Sequence, residues 1–379
     1  MNSIRDEIAF LLSGRGMPYQ KVAMMVAIVC AVVFTLILGN NAIKEAPIAV
    51  IDLDNSRYSH EMTQLMDSSP YIRVATVFNT AVDTKTLFYQ DGYVAAVYLP
   101  QGLEKNHYNQ TDTPMGVFYD NTNTAQTAEL KAALNEIVAT ENAAASQTAP
   151  AGLSLNDRNL FNPSGSVANG GEVQGFLFFF SSMFFVFATI GMIPRLRLEG
   201  KLQRILEEGT PFDILPRLVP YGLCLLAALF VGMAILRIIN DMVFSGSVLL
   251  FLVTQVLYIP ALGVLSLLFG WSAANPGVAA SRMILFIPGG FILGGSTGPI
   301  PLQSAWVQVV SHVFPLVWEY QFVRDIMMRG AGFLDMTRDF GGFLLYFAAV
   351  TILFCWRFYR EKKKLAAGRH GLDQVTQEG

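Results

Sequence analysis

Chemistry in a protein needs residues of suitable type at suitable spacing, and few of these 379 residues stand that way. Asp52 and Asp54 in IDLDNS alternate along a strand and so share a face, as two acid–base carboxylates would. The plainer and preferred reading is a strand end turning through an Asx turn into a helix cap. His60, His107, His312 and His370 are scattered, with no H-E-x-x-H and no Cys/His spacing, so no metal site can be drawn. Ser56, Ser181 and Ser182 have no His and Asp placed nearby in sequence, which leaves a hydrolase unsupported. No G-x-x-x-x-G-K-[ST] loop occurs and no G-x-G-x-x-G follows a strand, so any dependence on ATP has to come from a partner.

Charges set in apolar sequence say more. The stretch RLRLEGKLQRILEEGTPFDILPRLVP, Arg195 to Pro220, reads as a helix of about 15 residues with Leu198, Leu202, Ile205 and Leu206 on one stripe. Its polar positions are Arg195, Arg197, Glu199, Gly200, Lys201, Arg204, Glu207 and Glu208. Two readings stand side by side: an interfacial helix on anionic headgroups, or a docking helix pressed into another protein. A second stretch, Pro299 to about residue 330, is too apolar for a solvated loop, yet Pro315, Glu319, Arg324 and Asp325 interrupt it too often for a span. A pair of short re-entrant helices solves this, because irregular or charged backbone at membrane depth must be covered by protein or line a cavity. An unpaired charge there costs about 2.5–3.5 kcal/mol, so structural pairing of Glu319 with Arg324, or of Asp325 with Arg329, is expected rather than ion translocation. Pro288, Gly289, Gly290, Gly294 and Gly295 allow close helix packing or kinking, and a gating hinge is the functional reading of them.

The elements that position these residues follow from composition. Hydrophobic residues make up 53% and charged residues 15%, against roughly 25% charged in a soluble domain, which argues against a soluble enzyme. A net charge of −3 fits neither a nucleic-acid binder nor an acidic disordered chain. Cys30, Cys224 and Cys355 all lie in apolar runs and support no disulfide framework. Six stretches approach the roughly 20 apolar residues needed to cross a bilayer. They are Val22–Gly39, Val173–Ile193, Leu218–Leu236, about Ser247–Phe269, about Val278–Gly298 and Phe340–Phe358. The first has no cleavage site after it and reads as a retained anchor. Arg5, Arg15 and Lys21, then Arg195 to Arg217, then Arg357 to Lys364 fall on one side of six spans, which puts both termini in the cytoplasm.

Residues 40–172 then lie outside, which is the periplasm if the source is a Gram-negative bacterium. They hold 7 bases and 15 acids, a net of −8, while the remainder holds 19 and 14, a net of +5. Ala46–Leu53, Ile72–Phe78, Tyr93–Leu99 and Met115–Tyr119 read as strands, with helices after Ser56 and over TAVDTKTLFYQDG, which argues for an α/β sheet. Ala125–Thr148 has no large apolar face after Val138 and reads as a solvent-exposed arm, and residues 150–171 as a returning loop. The expected fold is an α-helical integral membrane protein with six transmembrane helices, re-entrant outer helices and an inserted α/β extracytoplasmic domain. Its parts are an N-terminal amphipathic segment (1–21), the first span (22–39), the α/β domain (40–172), a core of five spans (173–358) and a cytoplasmic tail (359–379).

This order of elements resembles the permease subunits of type-2 ABC exporters with a large extracytoplasmic domain. The resemblance covers nearly the whole chain. It is carried by IDLDNSRYSHEMTQLMDSSPYIRV, DGYVAAVYLPQGLEK, FYDNTNTAQTA and FPLVWEYQFVRDIMMRGAGF, in that order. It implies a bacterial inner-membrane exporter subunit with no cofactor of its own, which moves a hydrophobic or amphipathic molecule. Separate ABC ATPase subunits would use ATP and Mg, and a second permease subunit, identical or different, would complete the pathway. A periplasmic adaptor of the membrane-fusion type is a common companion, and no nucleic acid is implied. It further implies that residues 195–213 are the coupling helix seated in the ATPase, that Asn2–Leu12 lies along the membrane, and that 299–330 closes the outer gate. The other function open at this point is a mechanotransmitter or scaffold that relays ATPase motion without flux. One departure stands out. The family's coupling segment usually runs Arg-Glu-Arg-Glu, one residue, then Gly-Thr, whereas Arg195-Leu196-Arg197-Leu198-Glu199-Gly200-Lys201 lacks two acids and the threonine. A dedicated ATPase, or a place as the weaker half of a heterodimer, would account for it.

Overall fold

The structure is a computed structural model that describes residues 45–109, 111–145, 152–163, 165, 171–240, 242–285, 287–295, 300 and 305–377. The expected N-terminal amphipathic helix and the first span, 22–39, lie outside the described residues. The α/β domain comprises β1 (Ala46–Asp52), α1 (Arg57–Asp67), β2 (Ile72–Phe78), α2 (Thr84–Leu87), β3 (Ala95–Leu99), α3 (Leu103–Tyr108), β4 (Thr113–Asp120), α4 (Thr124–Ala145) and β5 (Leu153–Leu160). The strands form one sheet in the order β2-β1-β3-β4-β5. β1 pairs in parallel with both β2 and β3, and every one of its residues is buried, as a strand flanked on both edges and covered on both faces requires.

Three expectations are corrected here. The returning loop contains β5, which pairs with β4 in parallel from Thr113↔Leu153 to Asp120↔Leu160. LSLNDRNL is an edge strand largely open to solvent, so it lacks the apolar alternation that marks a strand in sequence. The polar arm is α4, and it is packed rather than free. Leu130, Leu134 and Val138 are buried, Tyr58 donates to Glu141 at 3.0 Å, and the Asn142 side chain bonds both backbone groups of Leu153 at 2.8 Å. The TAVDTKTLFYQDG stretch is helical only over α2, followed by a tight turn at Tyr89–Asp91.

The remaining elements are α5 (Gly171–Ile190), α6 (Met192–Leu198), α7 (Lys201–Glu208), α8 (Val219–Asn240), α9 (Val248–Gly270), α10 (Pro276–Ser281), α11 (Ile287–Leu293), α12 (Ala305–Ser311), α13 (Pro315–Phe322), a π-helical stretch Val323–Arg329, and α14 (Thr337–Gln377). Among the described residues four helices are long and apolar enough to cross a membrane: Val173–Leu198, Pro211–Ile239, Val248–Gly270 and Leu334–Ala367. The fifth expected span is not one helix. It is divided into α10, a tight turn Arg282–Leu285, and α11, since Pro288 and the glycines at 289, 290, 294 and 295 weaken continuous helix.

The long helices alternate in direction. α5 begins beside the sheet domain, where Gly171 N–H donates to Thr122 O, and ends at α6. α8 returns, and the loop after it meets the π stretch through Ser245 N–H to Met327 O at 2.8 Å. α9 runs back until its end is held by Arg197, and α14 leads from the sheet domain to the α6–α7 hairpin. Hydrogen bonds inside the bundle fix α5 against α9: Ser182 to Tyr258 at 2.7 Å and Thr189 to Ser266 at 2.8 Å. Phe178 and Phe185 are buried in this core, whereas Phe180 and Phe184 face outward. The bundle thus has a sheet-domain end and a hairpin end.

Candidate functional site

At the sheet-domain end, five charged side chains are enclosed where the α/β domain meets the helices. β4 delivers Asp120 at its last position, and the turn after α2 delivers Asp91. Gln90 and Asp91 both hold left-handed backbone, φ 57° and 52°, which two consecutive non-glycine residues adopt only when the surroundings enforce it. The enforcement is visible. Gln90 N–H donates to Asp325 Oδ2 at 3.1 Å, its side-chain amide reaches Asp335 O, and Asp91 is thereby turned inward.

Opposite stand Arg324 and Arg329, five positions apart. In an α-helix that spacing separates two side chains by more than a third of a turn, but the wider π-helical turn brings them nearly into line. Gly330 ends the stretch, with φ 72° and its N–H on Asp325 O, a conformation glycine takes at no steric cost. Arg324 reaches Asp91 at 2.5 Å and Gly295 O at 2.7 Å. Arg329 bonds Asp91 at 2.7 Å, Asp120 at 2.5 Å and Asp325 at 2.6 Å. Both guanidiniums use their planar fork to bridge elements distant in sequence, a geometry a lysine ammonium cannot reproduce.

Burial alone would raise the carboxyl of Asp91, but the Arg324 and Arg329 guanidiniums outweigh it and hold the group below its ordinary value of 3.8. A lowered native pKa contributes stability that is present in full above the ordinary value and is lost as pH falls below it. We therefore expect the thermal stability of the full chain in lipid nanodiscs to fall between about pH 4 and about pH 2. An Asp91→Asn variant, already lacking that contribution, should show a shallower fall; equal slopes would remove Asp91 as the cause.

Of the expected gate residues, Arg324 and Asp325 belong to this cluster. The expected pairing of Asp325 with Arg329 is formed, but that of Glu319 with Arg324 is not. Arg324 turns to Asp91 instead, and Glu319 lies against Gln255 of α9, whose Nε2 donates to it at 2.6 Å. Pro315 opens α13. Gly289 and Gly290 lie where Phe314 and Leu316 press on α11, and Gly295 supplies the carbonyl to Arg324. Asp52 and Asp54 are structural. Asp52 accepts from Asp54 N–H, Asn55 N–H and the Ser59 hydroxyl, while Asp54 accepts from Gly102 and Glu104 N–H and caps α3.

At the other end, the expected single helix of about 15 residues is two helices. Gly200 breaks it with φ 70°. The apolar stripe is already occupied within the chain: Leu202 and Leu206 are buried in a cluster with Trp271, Val350, Phe354 and Phe358. Arg197 bonds the carbonyls of Trp271 and Ala273 at 2.5 and 2.8 Å, and Lys362 bonds Gly209 O at 2.9 Å. What stays exposed is charged. Glu199 pairs with Lys201 at 2.6 Å and with Arg195 at 3.9 Å, and Arg204 with Glu208 at 3.4 Å. Glu207 accepts from Gln203 at 3.0 Å. Leu198 and Phe212 stand out among them as exposed apolar side chains.

Asp91 and Asp120 were not singled out by residue chemistry. Each, however, lies in one of the sequence stretches that carry the resemblance, DGYVAAVYLP and FYDNTNTAQTA, and their arginine partners lie in FPLVWEYQFVRDIMMRGAGF. Three of those four stretches therefore meet at one cluster.

Long apolar helices in alternating directions, with an α/β domain bonded to one end, define a multi-pass membrane protein. Residues 22–356 match the model of the ABC-2 family transporter protein, and the chain belongs to that family. It is accordingly an ABC transporter permease, a membrane domain that works with an ATPase partner and is not itself the catalytic unit. No curated protein sequence matches it.

Proposed function

We propose that this chain is the permease subunit of an ATP-driven exporter, and that it moves a hydrophobic or amphipathic small molecule, drug or lipid-like substrate out of the cytoplasm or inner membrane. The observation that carries this reading is the contrast between the two ends of the bundle. The hairpin end gathers Arg195, Arg197, Lys201, Arg204, Arg282, Arg357 and Lys362, whereas the sheet domain is acidic. By the positive-inside bias the hairpin end is cytoplasmic and the sheet domain extracytoplasmic. The charged, partly apolar surface of α6–α7 is then the ATPase-coupling site. Six crossings result when the 22–39 span is added and the α10–α11 run is counted as a broken fifth. α12, α13 and the π stretch form the re-entrant outer gate, with the glycines of α11 as its hinge. A second permease subunit completes the pathway.

The same cluster supports a second reading. Because Asp91 and Asp120 tie the sheet domain to the gate segment, motion of the helices must be delivered to the domain, as a mechanotransmitter requires. Transport in vesicles separates the two. Accumulation of a lipophilic fluorescent amine that requires both ATP and the ATPase partner is the expected result. ATP-dependent movement of the sheet domain without accumulation would replace export by relay.

A further inference from the structure

Apart from the charge cluster, α13 buries an acid of its own. Glu319 is fully enclosed, and so is Gln255 of α9, which faces it. Gln255 Nε2 donates to Glu319 Oε1 at 2.6 Å. The other oxygen of each side chain, Glu319 Oε2 and Gln255 Oε1, is also enclosed and has no hydrogen-bond partner among the described residues. Were Glu319 a carboxylate, a full charge would be enclosed on a single amide N–H from Gln255, whose own oxygen is also enclosed, an arrangement that is costly at membrane depth.

The neighbouring groups offer no compensation. Elements packed against α13 bring Tyr258 from α9, Arg324, Asp325 and Arg329 from the π stretch, and Arg338, Asp339 and Tyr346 from α14, while α13 itself adds Tyr320. Arg324 and Arg329 are committed to Asp91, Asp120 and Asp325, and Arg338 is exposed. The Tyr258 hydroxyl is bonded to Ser182, Tyr320 donates to Gly175 O and Tyr346 to Val313 O. No basic group pairs with Glu319 among the described residues.

A proton on the acid would remove the buried charge and supply the donor that both acceptors lack. Placed on Glu319 Oε2, it lets the acid donate to Gln255 Oε1 while Gln255 Nε2 donates to Glu319 Oε1, the closed ring of an acid–amide pair. We infer that Glu319 is a proton-binding site, neutral in this state, with Gln255 as the partner that holds the proton. The proton is taken from solvent and no other bond is made or broken. The inference does not rest on the exporter reading, although α13 is the segment assigned there to the outer gate: parting α13 from α9 breaks the Gln255–Glu319 contact and frees the acid to ionise.

Infrared difference spectroscopy of the full chain in lipid nanodiscs at neutral pH tests the inference. Wild type minus Glu319→Gln should contain a carboxylic-acid C=O band that moves down in D2O, and this band should be absent from the variant. Carboxylate stretching bands in its place would overturn the site. Labelling the wild type with carboxyl-¹³C glutamate gives the same readout without a variant. Thermal unfolding adds a second measure: Glu319→Gln closes an amide–amide ring and should melt as wild type does, whereas Glu319→Ala should lose stability. A Glu319→Gln protein that falls as far as Glu319→Ala would show that the site requires charge.

Discussion

Replacing Arg329 with alanine is expected to destabilise the protein by about 3–5 kcal/mol, the loss that follows when one member of a buried ion network is removed and its partners stay behind. Arg329 is fully enclosed and bonds three carboxylates, so its loss would leave Asp120 and Asp325 without a cation and Asp91 with Arg324 alone. Arg329→Lys should recover only part of the stability, because one ammonium cannot fork toward the sheet domain and the π stretch together. Removing the stranded charges as well, in Arg329→Met with Asp120→Asn and Asp325→Asn, should restore more than the sum of the separate changes predicts. Thermal unfolding and yield of the full chain in nanodiscs read all three variants. An Arg329→Ala protein that melts with wild type would mean that the carboxylates reach water and that the cluster does not bind the domain to the helices. Arg324→Ala makes a graded comparison, since Arg324 reaches one carboxylate where Arg329 reaches three.

How far the sequence discloses this site depends on the range of the interactions. Strand and helix of IDLDNSRYSHEMTQLMD are local, with Ser56 capping α1 and Asp52 closing an Asx turn, and both are written in adjacent residues. Long apolar runs disclose their helices for the same reason. β5 and the packing of α4 were hidden because an edge strand and a polar-faced helix take their places from contacts with distant residues, Thr113 to Asp120 in one case and Leu153 in the other. The charge cluster is the extreme case. Arg324 meets Asp91 across more than 200 positions, and its alignment with Arg329 depends on a π-helical turn that an α-helical reading of VRDIMMR misses. A helical wheel of α spacing puts Asp325 beside Arg329 on one face and leaves Arg324 to look for Glu319. That pairing fails because Glu319 faces α9 while Arg324 faces the sheet domain.

Gly200 and Arg204 are where energetics at the hairpin end become testable, and each should fail for a different reason. Gly200 sits at φ 70° between α6 and α7, a conformation closed to proline, whose ring fixes φ near −65°. Gly200→Pro should therefore unseat α7, pull Leu202 and Leu206 from Phe354 and Phe358, and abolish both ATPase co-purification and ATPase stimulation. Such a result alone would not separate docking from folding. Arg204 makes the separation, because among the described residues its ion pair is with the likewise exposed Glu208. Arg204→Glu should leave the melting temperature of the permease unchanged, since an exposed pair of this kind contributes about 0–1 kcal/mol. On the coupling surface proposed above, reversal of this charge should weaken ATPase association by about 2 kcal/mol or more, over tenfold, with a reduced salt dependence. The departure of this hairpin from the family's alternating acid–base run bears on the outcome. With Leu196 and Leu198 where the resemblance implies two acids, the hairpin surface sets Arg195, Lys201 and Arg204 against Glu199, Glu207 and Glu208, and Leu198 adds an exposed apolar side chain that a docked partner would have to seat. Arg204→Glu that still binds and stimulates the ATPase as wild type does would move the coupling surface elsewhere on the hairpin end, to Phe212 and the start of α8.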